Sequence, residues 1–202
     1  MKNHYIPSIV FIVISCGQAQ DKPEYEQIVS HKPSKFMSDY SPSFEKAHPK
    51  AKELMTDEFY FSPIEETAPF GNDDGADTYA AFKDWRASHT TDDPTDFLSD
   101  QIDEWGYSEF DIYETDIAKL TPYLKESELG SRYMSGIDAA IIAIALGQLY
   151  LEGTIDKRFR ETAKIAVNRQ LLPELLSLWG DEYKPKREEQ LKTMKKVLDK
   201  VN

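Results

Sequence analysis

Cysteine is nearly absent from this chain. Cys16 is the only one among 202 residues, so no intramolecular disulfide can form. The four histidines are scattered, and none has a cysteine partner at the spacing of a zinc site. The sequence also contains no Gly-x-Ser-x-Gly motif and no glycine-rich loop of the kind that cradles phosphate. These absences predict a protein that carries no metal or cofactor and is not an enzyme.

Positive charge is also scarce. The chain has 24 basic and 36 acidic side chains, which gives a net charge of −12. Such an acidic surface repels the phosphates of nucleic acids and anionic lipid headgroups, so we expect no nucleic-acid partner. A basic protein or peptide is the partner that this charge suits, although an acidic balance also serves solubility alone. The oligomeric state does not follow from the sequence.

No hydrophobic run is long enough to cross a bilayer, which takes about 20 residues, but a short run lies near the amino terminus. Lys2 precedes the apolar residues 9–14, and the small residues Ser15 and Cys16 follow. These are the parts of an export signal. We therefore expect a signal peptide over residues 1–15. Its removal takes away one charged side chain, Lys2, and leaves 23 basic against 36 acidic groups, a net charge of −13.

The residues Val13-Ile14-Ser15-Cys16 resemble the lipobox of bacterial lipoproteins, in the variable form found in the Bacteroidetes. The resemblance implies that Cys16 carries fatty acyl chains such as palmitate, and that the protein is anchored to a membrane of the cell envelope. Several chains anchor stably where one is marginal, because each buried methylene contributes about 0.8 kcal/mol. The sequence departs from the usual pattern at Val13 and Ile14, where leucine and a smaller residue are commoner. An ordinary cleaved signal with an incidental cysteine is the alternative.

Residues 16–50 are expected to form a lipid-anchored flexible tether. Prolines recur along this segment without any apolar periodicity. A flexible arm lets a domain stand off the bilayer. Residues 51–202 then form a single α-helical globular domain, since about 150 residues suffice for one core.

The globular part is predicted to be all-α, a compact multi-helix domain around a buried central helix at about residues 137–152. Residues 139–151 carry no charge, and at 1.5 Å per residue they make about 20 Å of helix, short of the roughly 30 Å hydrocarbon core. A helix that is apolar all round and too short for a membrane is typical of a protein core. Gly153 follows as a left-handed stop. Other helices are predicted over residues 94–105, 115–126, 156–171, 173–179 and 186–201, and a strand is considered over residues 58–62.

The densest polar cluster is Pro-Phe-Gly-Asn-Asp-Asp-Gly-Ala-Asp, residues 69–77. Several oxygen ligands on a glycine-bent loop suggest calcium. The spacing argues against an EF-hand, because placing Gly75 at its sixth position puts Phe70 and Ala81 at the first and last ligand positions. Neither side chain is a ligand, so we expect no metal here.

Helix capping explains the same cluster better. Asn72 or Asp73 is expected to accept the free amide hydrogens of a helix, and Asp74 and Asp77 to face its positive end. That helix then runs through an aromatic stripe that ends at Trp85.

The aromatic stripe has two interpretations. Tyr79, Phe82 and Trp85 recur every third residue, and core packing is the default for such spacing. The alternative is a binding groove, in which ring faces and neighbouring carboxylates receive a cationic or peptide ligand. The candidate binding residues are Phe70, Asn72, Asp73, Asp74, Asp77, Tyr79, Trp85 and Arg86.

Three segments together resemble an uncharacterised bacterial family of unknown function that has an Asn-Asp-Asp motif. They are residues 69–77, the apolar helix from Asp138 to Leu151 and the tail from Leu172 to Trp179. The chain departs from that family by lacking its Trp-Gly opening and by an insert at about residues 83–130. Residues 61–97 are also weakly similar to molybdate-metabolism regulators, whose cytosolic location does not suit an exported protein. Both resemblances imply a compact helical domain, and neither supplies a catalytic residue.

The sequence leaves three functions open, of which one is a purely structural domain whose partner is another copy of itself. The leading one is a cell-envelope lipoprotein that acts as a non-enzymatic protein- or peptide-binding module, in one form an immunity-like protein that neutralises a basic toxin. The alternative is an envelope hydrolase that uses a carboxylate pair near residues 65–77. A general acid of that kind needs a raised pKa in a dry cleft. The geometry of the carboxylates therefore discriminates between the binding module and the hydrolase.

Overall fold

The structure is a computed structural model that describes residues 41–126 and 129–201. The predicted signal peptide, Cys16 and most of the predicted tether lie outside the described residues. Export and lipidation therefore stay predictions.

Within the described ranges all regular structure is helical, as predicted. The α-helices are α1 (Pro49–Leu54), α2 (Asp73–Arg86), α3 (Pro94–Trp105), α4 (Ile117–Glu126), α5 (Gly130–Glu152), α6 (Lys157–Gln170), α7 (Pro173–Leu176) and α8 (Gly180–Lys200). Short 3₁₀ turns occur at Phe44–Lys46, Glu58–Phe61 and Ser177–Trp179. The strand considered over residues 58–62 is wrong, because its place is taken by the second of these turns.

Helix α5 is the predicted central helix. Helices α1, α2, α3, α4 and α6 all pack against it. It begins at Gly130, earlier than the predicted start near residue 137, and it ends at Gly153, whose φ of 76° gives the expected left-handed stop. Its isoleucines and leucines are buried, except Leu151 near its end, which is partly buried. Each fully buried side chain of this kind contributes roughly 1.5–3 kcal/mol through removal from water. The fold is therefore organised around one helix buried on nearly every side.

Length and composition alone would allow α5 to cross a membrane. It has 23 residues, and its most apolar 18-residue window has a mean hydropathy of 1.6. However, 83% of that window is buried inside the protein. A core helix passes the same test, and the burial favours that role.

The surrounding helices follow the predicted apolar stripes. The predicted core positions of α6 are fully buried, namely Phe159, Ala163, Ala166 and Val167. Leu191, Met194 and Leu198 of α8 are fully buried as well, and Val201, which follows α8, is 1% exposed. Helix α8 starts earlier than predicted, at Gly180, and includes Pro185. Helix α3 has its predicted bounds, and its carboxyl end is closed by Gly106 at a φ of 64°.

The folded domain starts before residue 51, earlier than predicted. Ala47 is buried, and the Ser43 amide donates to the Tyr150 hydroxyl at 3.2 Å. The His48 amide donates to the Tyr150 carbonyl at 2.9 Å, and His48 Nδ1 caps α1 by accepting from Lys50 N at 3.1 Å. Capping and backbone hydrogen bonds hold this segment, and these leave no apolar periodicity in the sequence.

Candidate functional site

A pocket of about 260 Å³ lies where α2 begins, beside α5, α6 and α8. We call it the Arg187 pocket. It is lined by Glu66, Asn72, Asp73, Asp74, Arg132, Ser135, Ala139, Gln170, Trp179 and Arg187. Most of these side chains are polar or charged, and both signs of charge are present.

The amino end of α2 is fixed by its cap. Asn72 Oδ1 accepts from Gly75 N at 2.9 Å, and Asn72 Nδ2 donates to the Ala68 carbonyl at 2.9 Å. A Cβ at Gly75 would lie 2.2 Å from the Pro69 carbonyl oxygen, so only glycine allows the preceding loop to approach this closely. The predicted capping is confirmed, with Asn72 as the capping residue. The cap directs Asp73 and Asp74 towards the pocket.

Asp74 is held by two partners from other parts of the chain. Both terminal nitrogens of Arg132 donate to its carboxylate, and the Tyr107 hydroxyl donates to Oδ1 at 3.0 Å. Burial, and then the negative charge of Asp74, raise the pKa of Tyr107. A Cβ at Gly136 would lie 2.9 Å from both Arg132 Nη1 and Tyr107 Cε2, so this glycine leaves room for the cluster. The charge of Asp74 is therefore neutralised within the fold.

Arg187 is the buried charge of the pocket. Its residue surface is 5% exposed, and its guanidinium lies over the ring of Trp179, 4.9 Å from the centroid. Nη1 donates to the Thr67 carbonyl at 2.8 Å, whereas the buried Nε has no hydrogen-bond partner among the described residues. Burial lowers the pKa of Arg187 to about 10, and the nearby Asp138 opposes that shift. The side chain therefore stays charged at neutral pH.

A buried ionic network lies behind the pocket. The Asp138 and Arg169 side chains are fully buried and ion-paired. Arg169 Nε donates to Asp138 Oδ1 at 3.1 Å, and Gln170 Nε2 donates to Oδ2 at 2.6 Å. Arg169 Nη1 also donates to the carbonyls of Ile112 and Glu114, at 2.9 and 2.8 Å, which fixes the segment before α4.

The charges of this network do not balance. Burial raises the pKa of Asp138, and the charge and hydrogen bonds of Arg169 oppose that shift and favour the carboxylate. Asp138 then supplies one negative charge, and Arg169 and Arg187 supply two positive ones. No carboxylate of the described residues lies within ion-pairing distance of Arg187, and Asp138 acts on it only from farther away. The buried cluster therefore carries one excess positive charge, which borders the pocket.

The structure brings together only some of the predicted candidate residues. Asn72, Asp73 and Asp74 line the Arg187 pocket. Phe70, Asp77 and Tyr79 line a second cavity of about 200 Å³. Trp85 and Arg86 lie at the other end of α2, so the eight candidates do not form one surface.

Core packing is confirmed for most of the aromatic stripe. Phe70, Tyr79 and Phe82 are buried, and Phe70 and Tyr79 pack ring against ring with centroids 4.8 Å apart. Trp85 is half-buried and stacks on His89 at 4.6 Å. The rings of Phe70 and Tyr79 pack in the core, and both residues also line the cavity of about 200 Å³. The binding groove considered as the alternative stays a prediction.

Arg86 has a structural role at the carboxyl end of α2. Its guanidinium makes an ion pair with Glu152 of α5, with Nη2 donating to Oε2 at 3.2 Å. Nη1 donates to the carbonyls of His89 and Asp92, at 3.0 and 2.7 Å. These contacts tie α2 to α5 and fix the loop that leads into α3.

Six pocket residues were not predicted from the sequence, namely Arg132, Ser135, Ala139, Gln170, Trp179 and Arg187. A signal for one of them exists. Arg187 lies four residues before Leu191, so it continues the buried stripe of α8 by one turn towards the amino end. A cation on an apolar stripe indicates either a buried charge pair or a site.

Two of the carboxylates near residues 65–77 have cationic partners, Lys186 for Glu65 and Arg132 for Asp74, and the hydrolase alternative stays a prediction. Hydrogen bonding from Lys186, together with that from Thr67, lowers the pKa of Glu65, whereas a general acid needs a raised value. Asp74 is held by Arg132 and Tyr107. Within residues 41–126 and 129–201, no group of three or more histidine, cysteine, aspartate or glutamate side chains is placed to hold a metal ion.

The comparisons with known proteins returned no relatives. No protein-family model matches the chain, and neither a curated protein nor a solved structure matches it significantly.

Proposed function

We propose that the protein is a cell-envelope lipoprotein, anchored through Cys16, that works as a non-enzymatic protein- or peptide-binding module. The export pattern of residues 1–15 and the lipobox-like residues 13–16 support the location. The Arg187 pocket supports the binding role, and it is the observation that carries this proposal.

The pocket is built for recognition. Exposed Glu66 and Asp73 lie at its edge, and buried Arg187 lies in its wall. None of the three has an ion-pair partner among the described residues. A ligand with matching charges gains these contacts without breaking existing ones, which favours binding over a structural role for the pocket.

The charge of the domain favours a basic partner. With a net side-chain charge of −13 after removal of residues 1–15, the protein attracts cationic proteins and slows the approach of acidic ones. Neutralisation of a basic toxin, as by an immunity protein, is one form of this function.

The location is tested by replacing the proposed lipid attachment site. Native cells expressing the wild type or the Cys16→Ala variant are labelled with a clickable palmitate analogue and fractionated. We expect label and membrane association for the wild type and neither for the variant. Unlabelled, soluble wild-type protein that retains Met1 would refute the anchor.

The binding role is tested by crosslinking in the same cells. We expect Glu66→Lys, at the pocket edge, to reduce recovery of a specific crosslinked partner. The matched control is Glu53→Lys in α1, which makes the same charge reversal at a side chain that is 66% exposed and outside the pocket. Equal recovery with both variants would contradict binding through the pocket.

A further inference from the structure

The Arg187 pocket has opposite charges at its edge and in its wall. Glu66 and Asp73 are exposed, and each adds a negative charge at the edge. Asp74 is already paired with Arg132, so these two groups cancel. In the wall of the pocket, the buried cluster of Asp138, Arg169 and Arg187 contributes its one excess positive charge.

The unpaired edge of the Arg187 guanidinium suits a carboxylate. Nη1 is occupied by the Thr67 carbonyl, and Nε has no partner among the described residues. Arginine binds carboxylates through parallel N–H donors, and such charge-assisted bonds are about twice as strong as neutral ones. Trp179 holds the guanidinium plane by stacking at 4.9 Å. The donor is therefore oriented before any ligand arrives.

The volume of the pocket limits what enters it. Small-molecule sites commonly enclose about 300–1,000 Å³, and this pocket encloses about 260 Å³. The end of a chain fits that space better than a larger ligand does. A cationic group that follows the carboxylate outwards would meet Glu66 and Asp73.

We propose that the Arg187 pocket binds a free α-carboxylate, the carboxyl terminus of a peptide with basic residues just before its end. Arg187 pairs with the carboxylate, and Glu66 and Asp73 contact the basic side chains. This inference rests on the proposed binding function and names the chemistry that the pocket recognises. A free amino acid shares the α-carboxylate, so it is included as a separate ligand in the test.

The test is a calorimetric titration of the full chain, purified in detergent, with Lys-Lys-Gly, its carboxyl-terminal amide, free glycine and inorganic phosphate. We expect Lys-Lys-Gly to bind at least about tenfold more tightly than the amide, because the amide loses the charge-assisted pair. Free glycine should bind more weakly than the tripeptide, since it lacks the basic side chains. If glycine bound more tightly than Lys-Lys-Gly, the site would be assigned to a free amino acid and the peptide-terminus proposal would be overturned. If phosphate bound more tightly than Lys-Lys-Gly, the site would be assigned to a general anion and the proposal would be overturned as well.

Two variants separate the pocket from the rest of the surface. Arg187→Lys keeps the charge but loses the forked donor, and we expect it to weaken Lys-Lys-Gly binding about tenfold or more. Ala139→Leu fills the pocket without removing a hydrogen bond, so it serves if the arginine variant does not fold. The control is Arg158→Lys in α6, whose side chain is 81% exposed and outside the pocket.

The result that overturns the assignment differs from the one that overturns the function. If Lys-Lys-Gly and its amide bound equally, or if Arg187→Lys and Ala139→Leu left the binding of Lys-Lys-Gly unchanged, the carboxylate site would be refuted. Peptide binding by the protein would still stand. No binding of Lys-Lys-Gly would also overturn the site. If the wild-type protein gave no specific crosslink in cells while Lys-Lys-Gly still bound in the titration, the proposed function alone would be overturned.

Discussion

Replacing Asp138 with asparagine removes one buried charge and leaves the shape of the side chain almost unchanged. We expect the variant to lose about 3–5 kcal/mol of unfolding free energy, the usual penalty for breaking a buried ion pair from one side. Both Asp138 and Arg169 have 0% side-chain exposure, so water cannot compensate Arg169 for the lost partner. The variant also leaves two buried guanidiniums, those of Arg169 and Arg187, without a counter-charge.

The magnitude follows from the contact geometry. Arg169 Nε lies 3.1 Å from Asp138 Oδ1, and at an effective dielectric constant of about 20 the Coulomb attraction at that distance is roughly 5 kcal/mol. Because the buried Arg169 does not regain water when its partner is lost, the loss of unfolding free energy in Asp138→Asn should lie near the upper end of about 3–5 kcal/mol. For a domain of this size, each kcal/mol shifts Tm by about 2–4 °C, so Tm should fall by roughly 6–20 °C.

Urea unfolding followed by circular dichroism at 222 nm measures the difference. The control is Glu188→Gln, which removes a charge by the same chemical change from an exposed i, i+4 pair with Lys192. Such pairs contribute about 0.3–0.5 kcal/mol. If Asp138→Asn cost no more than Glu188→Gln, the network would not hold the fold and the argument from burial would be refuted.

Three further predictions concern the cap of α2, the cap of α3 and the crossing of α2 with α5. Asn72→Ala should lose about 1 kcal/mol in urea unfolding because α2 loses its cap. Asn72→Asp should lose less, because it keeps the capping oxygen and loses only the hydrogen bond that Asn72 Nδ2 donates to the Ala68 carbonyl. Asp93 caps α3, and the hydrogen bond from Thr95 N lowers the pKa of its carboxyl group. Its charge therefore stabilises the fold above the pKa of the unfolded chain, and this contribution disappears as the pH falls through the lower pKa of the folded protein. The stability deficit of Asp93→Asn should therefore vanish in acid unfolding titrations. A Cβ at Gly147 would lie 2.9 Å from Cδ2 of buried Tyr79, so Gly147→Ala should lower Tm in a thermal melt, although the same change in an exposed helix stabilises by about 1 kcal/mol.

The central helix was predictable because burial on all sides leaves a plain pattern, an uncharged run that ends at a glycine. Its first two turns were not, since Gly130, Ser131, Ser135 and Gly136 have low helix propensity. Packing overrides that propensity. Gly130 is buried, and a Cβ there would lie 2.4 Å from the Tyr123 carbonyl oxygen of α4. The close approach that selects glycine is visible only in the folded chain.

The site was harder to predict than the fold. The capping pattern led to Asn72, Asp73 and Asp74, which do line the pocket. Arg187 comes from more than a hundred residues later in the chain, and no local pattern states which segments meet. A charged residue on a buried stripe indicates either an ion pair or a site, and only its partner decides between them. Here the two arginines, Arg169 and Arg187, share a single carboxylate, that of Asp138.

The separation of charges in the Arg187 pocket assigns its two parts to different stages of binding. Glu66 and Asp73 are exposed, so they add to a surface field that steers a basic peptide and is screened by salt. Arg187 is buried, so its contact forms after docking and is screened far less. In stopped-flow measurements with Lys-Lys-Gly, higher salt or Glu66→Gln should therefore mainly slow association, whereas Arg187→Lys should mainly speed dissociation. A variant at Arg187 that changed only the association rate would place the guanidinium at the surface during binding, and the buried carboxylate site would no longer follow from the charge imbalance.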